Sequence, residues 1–367
     1  MIGSGSTPLH GSATARAADD ELTRCDPILS HISALDIAFP AGTVAQPAIT
    51  NETSAMARLS LSRRSLLLGA IPAIGLRTVP ARSQSLALNF VVIGDWGRDG
   101  CCQQAGVAEQ MASRAVAIGS KFVISVGDNF YENGVTSIHD PQWKTSFQDI
   151  YTRPGLMTPW HVILGNHDYQ RTGRPEAQIA YSSIDPRWSL PAPFYRRSER
   201  LADGTTADFF FLDTSSYIQH YGKPGSVVHV DRAQPEPQFR WLEHGLAASQ
   251  AAWKIVIGHH QVYAATAPGD YVGDDMIRRF KPLLDKYGVH VYINGHEHNL
   301  QHITQDGVHY ITCGAGSQTD PVHAAPGQFG SGRHGFMAMR LEKETLGFSF
   351  IDDLGNTLYR ANIPRQA

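Results

Sequence analysis

The sequence predicts an α/β architecture whose C-terminal part is more antiparallel and strand-rich. Three observations carry that expectation. Short apolar runs alternate with helical stretches through residue 293, and short extended segments follow to the end of the chain. Five of the runs also end in a glycine followed at once by a side chain bearing oxygen or imidazole donors. The central run is 122–126, continued by Gly127-Asp128-Asn129-Phe130-Tyr131. A carboxylate at the carboxyl end of a buried strand lies where open α/β sheets place their chemistry.

The 367 residues, 42% hydrophobic and 18% charged, suffice for a sizeable core in one or two domains. A formal net charge of −3 gives no electrostatic basis for binding nucleic acid or an acidic membrane surface. Four cysteines, Cys25, Cys101, Cys102 and Cys313, show no Cys-x-x-Cys spacing, which argues against both a thiolate zinc site and a stapled framework.

Residues 1–55 are rich in Ala, Ser, Thr, Gly and Pro and read as a disordered upstream extension. Residues 56–85 read as a twin-arginine signal peptide. Met56 is its start, Ser62-Arg63-Arg64-Ser65 its basic motif, 66–76 its apolar run and 80–85 a small-residue cleavage region. At ~1.5 Å per residue that apolar run is too short to span a bilayer. The expected partner is the Tat translocase during export, with no membrane anchor after signal removal and a periplasmic or secreted location.

Residues 86–367 read as one domain. Strands are expected at 88–93, from 122, at 160–164, 209–212, 253–257 and 291–293, then near 309–312, 336–341, 348–352 and 358–363. Helices are expected at 103–118, 141–150, 235–248 and 275–287, and 214–234 reads as a loop. The five glycine-marked ends are Gly94-Asp95, Gly127-Asp128, Gly165-Asn166-His167, Gly258-His259-His260 and Gly295-His296-Glu297-His298. Glycine there permits a sharp turn or a close backbone approach. Together these ends are expected to line one edge of the sheet.

Taken singly, each donor has an ordinary reading. Asp95 can cap a turn, Asn166 can satisfy its own backbone, His259 can be a bonded core histidine and Tyr131 can pack. Taken jointly, Asp95, Asp128, Tyr131, Asn166, His259, His296 and His298 are too many for one tetrahedral zinc and too rich in nitrogen for magnesium or calcium. Mixed oxygen and imidazole ligation suits iron, manganese or zinc. Seven donors fit two metals about 3.5–4 Å apart, bridged by a carboxylate. Asp128, on the central strand, is the natural bridge. His296 and His298, if on a strand, share one face.

These motifs, with Gly94-Asp95-Trp96-Gly97 first and Gly295-His296-Glu297-His298-Asn299 last, resemble in order the five motifs of the purple acid phosphatases. The chain is most similar to the small, tartrate-resistant type within the calcineurin-like metallophosphoesterases. The likeness covers about residues 88–363. It implies a four-layer fold, two mixed β-sheets in a sandwich flanked by helices. It implies that Asp95, Tyr131 and His298 hold Fe(III), that Asn166, His259 and His296 hold a divalent Fe, Zn or Mn, and that Asp128 bridges. Tyr131 favours this family over superfamily phosphodiesterases, and its charge transfer to iron gives the family its colour.

The resemblance implies an acid phosphatase acting on small phosphate monoesters, a hydroxide generated at the metals attacking phosphorus in line. Asn166 and His167 match substrate-contacting positions, with His167 clamping the phosphate or protonating the leaving alcohol. An alternative for His167 is a structural bond to Asp168. Where relatives carry a Glu-His pair after the fourth motif, this chain has Ala267-Pro268, and His260 is the substitute. The cysteine pair that pins a loop in those relatives is absent, so 214–234 is expected to gate the site loosely. Cys101 and Cys102 form either a vicinal disulfide or a pair of loop thiols. Two other functions compete: a phosphodiesterase or nucleotide pyrophosphatase using manganese or zinc, and a binding protein with a dead site.

Overall fold

The first strand is apolar on both faces because both faces are covered. In the computed structural model, which describes residues 87–230, 235–267, 272–323 and 327–365, β1 spans Leu88–Ile93. Phe90 and Val92 pack between two sheets, whereas Val91 and Ile93 pack beneath helix α1 (Gln104–Ile118). A near-continuous apolar run is the expected signature of such a doubly buried strand. The described part belongs to one compact unit, Gln84–Ala367. The upstream extension and the twin-arginine segment lie outside the described residues.

β1 pairs in parallel with β2 (Val123–Ser125), which continues to β3 (Trp160–Val162) and the short β4 (Trp188–Ser189). On its other side β1 runs antiparallel to the C-terminal meander of β12 (Gly335–Leu341), β13 (Thr345–Asp352) and β14 (Thr357–Pro364). The second sheet contains β5 (Tyr195–Arg200), β6 (Thr206–Phe211), β7 (Trp253–Ile257), β8 (Val291–Asn294), β9 (Leu300–Gln305), β10 (Val308–Cys313) and β11 (Phe329–Ser331). Their order is β11-β9-β10-β8-β7-β6-β5, and β6, β7, β8 and β10 are mutually parallel. Phe209, Phe211, Ile255 and Ile257 of this sheet meet Phe90 and Val92 of the first. Helices α1, α2 (Pro175–Tyr181), α3 (Pro235–Ala248) and α4 (Val272–Lys286) flank this two-sheet sandwich.

Several local expectations differ. The helix expected over 141–150 is only a six-residue π-type turn, Trp143–Gln148. Its aromatics serve packing instead, with Trp143 stacked on Tyr181 and Phe147 against Trp160 and Trp188. Strands β4, β5, β9 and β11 and helix α2 were not expected. β5 reads Tyr-Arg-Arg-Ser-Glu-Arg and is half exposed at a sheet edge, so it lacks the apolar signal that marks a buried strand.

Candidate dinuclear metal centre

The glycine-marked turns do not line one sheet. Asp95, Asp128 and Asn166 follow β1, β2 and β3 of the first sheet, whereas His259 follows β7 and His296 and His298 follow β8 of the second. The seven side chains meet at the seam, at the carboxyl ends of parallel strands from both. His296 and His298 are not on a strand but in the turn between β8 and β9, and His296 adopts a left-handed backbone with φ 68°.

Two of the glycines make room for carboxylates. A Cβ on Gly165 would stand 2.2 Å from Asp128 Oδ1, and one on Gly295 would stand 2.4 Å from Asp95 Oδ2. The apolar neighbours of the donors anchor the turns. Trp96 and Phe130, fully buried, pack edge to face at 5.5 Å, next in sequence to Asp95 and Tyr131.

The donors fall into two groups that share Asp128. In the first, Tyr131 OH lies 3.1 Å from Asp95 Oδ1, 3.1 Å from Asp128 Oδ2 and 3.0 Å from His298 Nε2. In the second, Asn166 Oδ1 lies 3.1 Å from His259 Nε2 and 2.9 Å from His296 Nδ1, and His259 Nε2 is 3.3 Å from Asp128 Oδ2. One atom of each of Asp95, Asp128 and His298 lies within 4.8 Å of the others.

Outer contacts fix which ring atoms face inward. His259 Nδ1 donates to the Val126 carbonyl at 2.9 Å, leaving Nε2 for the centre. His298 Nδ1 turns to Asp320 Oδ2 at 3.3 Å, leaving its Nε2 likewise. Asp95 also accepts the His296 backbone N–H, 3.2 Å from each carboxylate oxygen.

The electrostatics of this cluster call for cations. Burial raises the Asp95 pKa to about 7 and repulsion from Asp128 adds to it, against the opposing pull of His259 and His298. Burial also disfavours ionisation of Asp128, yet His259 and His167 outweigh it and hold this carboxyl well below its usual range. Burial, Asp128 and Asp95 push the Tyr131 phenol well above its usual value. Burial and the His259 charge lower His296 to about 3. Two buried carboxylates, a phenol, an amide and three imidazoles with their donor atoms together form a set that suits two metal ions, and the residues present fit them.

His167 sits at the rim. Its backbone N–H donates to Asp128 Oδ1 at 2.8 Å, its Nδ1 lies 2.7 Å from the Glu132 carbonyl, and its ring is 4.4 Å from that of Tyr131. It is not bonded to Asp168. That buried carboxylate instead accepts from Gly165 N at 2.9 Å, Asn129 N at 3.1 Å and Gln178 Nε2 at 2.7 Å, tying the second and third donor turns together. Burial and Asp128 raise its pKa to about 7.

His260 is not a rim residue. It is fully buried, its ring 4.6 Å from that of His296, and both its nitrogens are engaged, Nδ1 2.8 Å from Thr214 Oγ1 and Nε2 3.0 Å from Tyr221 OH. Those contacts also pin residues 214–230, the described part of the segment expected to be loose. Within it lie two short 3₁₀ turns, Ser215–Tyr217 and Gln219–Gly222, and Gln219 N donates to Asp275 at 2.8 Å. Arg171 N donates to the Val227 carbonyl at 2.8 Å and His229 N to that of Tyr169 at 3.1 Å. Cys102 Sγ lies 3.5 Å from Cys101 Sγ, too far for a bond between them, so the vicinal disulfide is not formed.

Sequence reasoning missed Arg98, whose guanidinium covers the Tyr131 ring, and Asp320, which backs His298. Arg98 follows the first motif directly, and that adjacency was the available signal. Asp320 lies in a long loop with no pattern to single it out.

Fold and site together define a dinuclear metallophosphoesterase, and residues 88–300 match the calcineurin-like phosphoesterase family. The chain is 36% identical over 293 residues to purple acid phosphatase 4 of Arabidopsis thaliana, covering 75% of this chain and 83% of the relative. It is 31% identical over 306 residues to human tartrate-resistant acid phosphatase type 5, covering 77% and 92%. Among solved structures it is similar to Plasmodium GAP50, described as the anchor in the inner membrane complex. That match has a TM-score of 0.68 at 25% identity and covers 77% of this chain and 90% of the other. The chain belongs to the purple acid phosphatases, and by that membership it is a phosphatase.

Proposed function

We propose that the protein is an exported acid phosphatase that hydrolyses small phosphate monoesters at an Fe(III)–M(II) pair, M being iron, zinc or manganese. The observation that carries this reading is the Tyr131 hydroxyl set among Asp95, Asp128 and His298, because a phenolate is a hard donor suited to a trivalent ion. Asp95, Tyr131 and His298 would hold Fe(III), Asn166, His259 and His296 the divalent ion, and Asp128 both. When bound, such a pair neutralises charge on the phosphoryl group and acidifies a water enough for it to serve as nucleophile in acid.

The chain's own residues do the rest. Asp128, fully buried and kept anionic, lies between the two donor groups and fixes the His167 turn through its backbone N–H. His167 donates from Nδ1 to the Glu132 carbonyl, which leaves Nε2 to bond a phosphoryl oxygen or protonate the departing alkoxide. Asn166 offers its amide beside it. With His260 engaged in the interior, this reading relies on His167 for proton transfer to the leaving group. Export rests on Ser62-Arg63-Arg64-Ser65 and the run behind it, and no described helix is long and apolar enough to cross a membrane.

The test joins metal analysis, visible absorption and turnover of p-nitrophenyl phosphate across pH. A coloured, iron-containing protein is expected, its activity lost in Asp128→Asn and reduced in His167→Ala. Colourless, iron-free and active protein, or a preference for bis-p-nitrophenyl phosphate, contradicts the reading. Export predicts a mature N-terminus near residue 86 and retention of the precursor in a Tat-deficient host.

A further inference from the structure

Arg98 occupies an unusual position for a cation. Its Cζ lies 3.6 Å from the centroid of the Tyr131 ring, well inside the ~6 Å range of a cation–π contact. Its side chain is only 11% exposed. Nη1 pairs with Glu132 Oε1 at 2.5 Å, while Nε is buried without a hydrogen-bond partner. An unpaired buried N–H is costly, so its retention needs a compensating contact, and the aromatic face is the one present. The backbone enforces the stack. Gln104 Oε1 accepts the N–H groups of Arg98 at 3.0 Å and Gly100 at 2.8 Å, and Tyr131 N donates to the Gly97 carbonyl at 2.9 Å.

We propose that Arg98 tunes the ion held by Tyr131, its guanidinium drawing electron density from the ring and so setting both the energy of phenolate-to-metal charge transfer and the ion's reduction potential. The inference rests on the ferric reading above. A positive charge over the ring face sits closer to the phenolate π electrons than to an ion beyond the hydroxyl oxygen. It therefore lowers the donor orbital more than the acceptor orbital, and the transition moves to higher energy. A less donating phenolate also favours the lower oxidation state. Arg98 is thus a positioning and tuning residue, acting on the metal through Tyr131. Glu132, half exposed at the rim, pairs with the guanidinium and holds it in place.

The test uses iron-loaded protein and reads the charge-transfer maximum and the midpoint potential. Arg98→Met keeps length and apolar contact but removes charge, so the band is expected at longer wavelength and the potential lower. Arg98→Lys keeps a point charge without the flat guanidinium, and both values should fall between. Glu132→Gln removes the ion pair but leaves the stack, and the band should stay in place. An Arg98→Met protein with the parent's band and potential overturns the proposal. So does a Glu132→Gln protein that reproduces the Arg98→Met shift, because the ion pair would then be the operative contact. If Arg98→Met does not fold, Arg98→Lys against Glu132→Gln decides on the same two readouts. Parent protein that loads iron yet shows no band defeats the ferric-tyrosinate reading itself, and is told apart by appearing before any substitution.

Discussion

Gly165→Ala tests whether the shared carboxylate needs the space that glycine leaves. The added Cβ would stand 2.2 Å from Asp128 Oδ1 and 2.4 Å from the Asp128 backbone nitrogen. Non-bonded contacts to carbon settle near ~3.5 Å, so the Asp128 carboxylate or the 165–167 turn must yield by about 1 Å. Both moves strike the same geometry, since Oδ1 accepts the His167 N–H at 2.8 Å and Asn166 lies between residues 165 and 167. A misplacement of ~1 Å costs about 10²-fold in rate, or ~2.7 kcal/mol of barrier. The assay is metal content per chain and kcat on p-nitrophenyl phosphate after reloading, with a thermal melt to establish that the chain is folded. The expected result is a folded protein holding fewer than two metals, with kcat about 100-fold lower. A variant with two metals and kcat within a few-fold of the parent would refute the reasoning.

Further predictions concern protons and the supports of the site. His161 is buried between the sheets with both ring nitrogens unpartnered, and burial, with Arg197 adding to it, lowers its pKa to about 3. A base depressed on folding costs stability as pH falls from 6.5 toward that value, by ~1.4 kcal/mol per unit. His161→Leu should therefore lose ~2–3 kcal/mol less than the parent between pH 7 and 4.5 in urea unfolding, and parallel losses would contradict this. In the metal-free protein, burial and the nearby carboxylates keep the Tyr131 phenol protonated. His259 stays charged because Asp128 outweighs burial and raises it to about 9. Metal loading at pH 7 should displace a proton from each, read by calorimetry in buffers of different ionisation enthalpy, and loading without proton release counts against it. Asp168→Asn sets an amide N–H₂ against donors that all point at the carboxylate, so it should destabilise the fold by ~1–3 kcal/mol and weaken metal retention. An unchanged urea midpoint would show that Asp168 is not needed to join those turns.

What the sequence made legible follows from which signals are local. The doubly buried strands 88–93 and 253–257 stood out as apolar runs, and the structure keeps those bounds. All seven donors were visible because each follows a strand and a glycine within a few residues. The division of those strands between two sheets was not readable from the runs, because pairing is set by contacts far apart in the chain. It entered only through the family likeness. The fate of His260 was equally hidden, since its neighbours Thr214 and Tyr221 lie in a segment with no periodicity. The stack of Arg98 on Tyr131 joins residues 33 positions apart and is held by the bond from Tyr131 N to the neighbouring Gly97 carbonyl, which no spacing rule announces.

The donors run from Asp95 to His298 and come from both sheets, so no partial chain can grip a pair of ions. Capture must wait until the two halves have docked. The mix of cations in whichever compartment completes that docking then decides what the pocket takes up. A chain that leaves the cytoplasm already assembled carries its cargo chosen in advance, whereas one that assembles outside must accept what the surroundings offer.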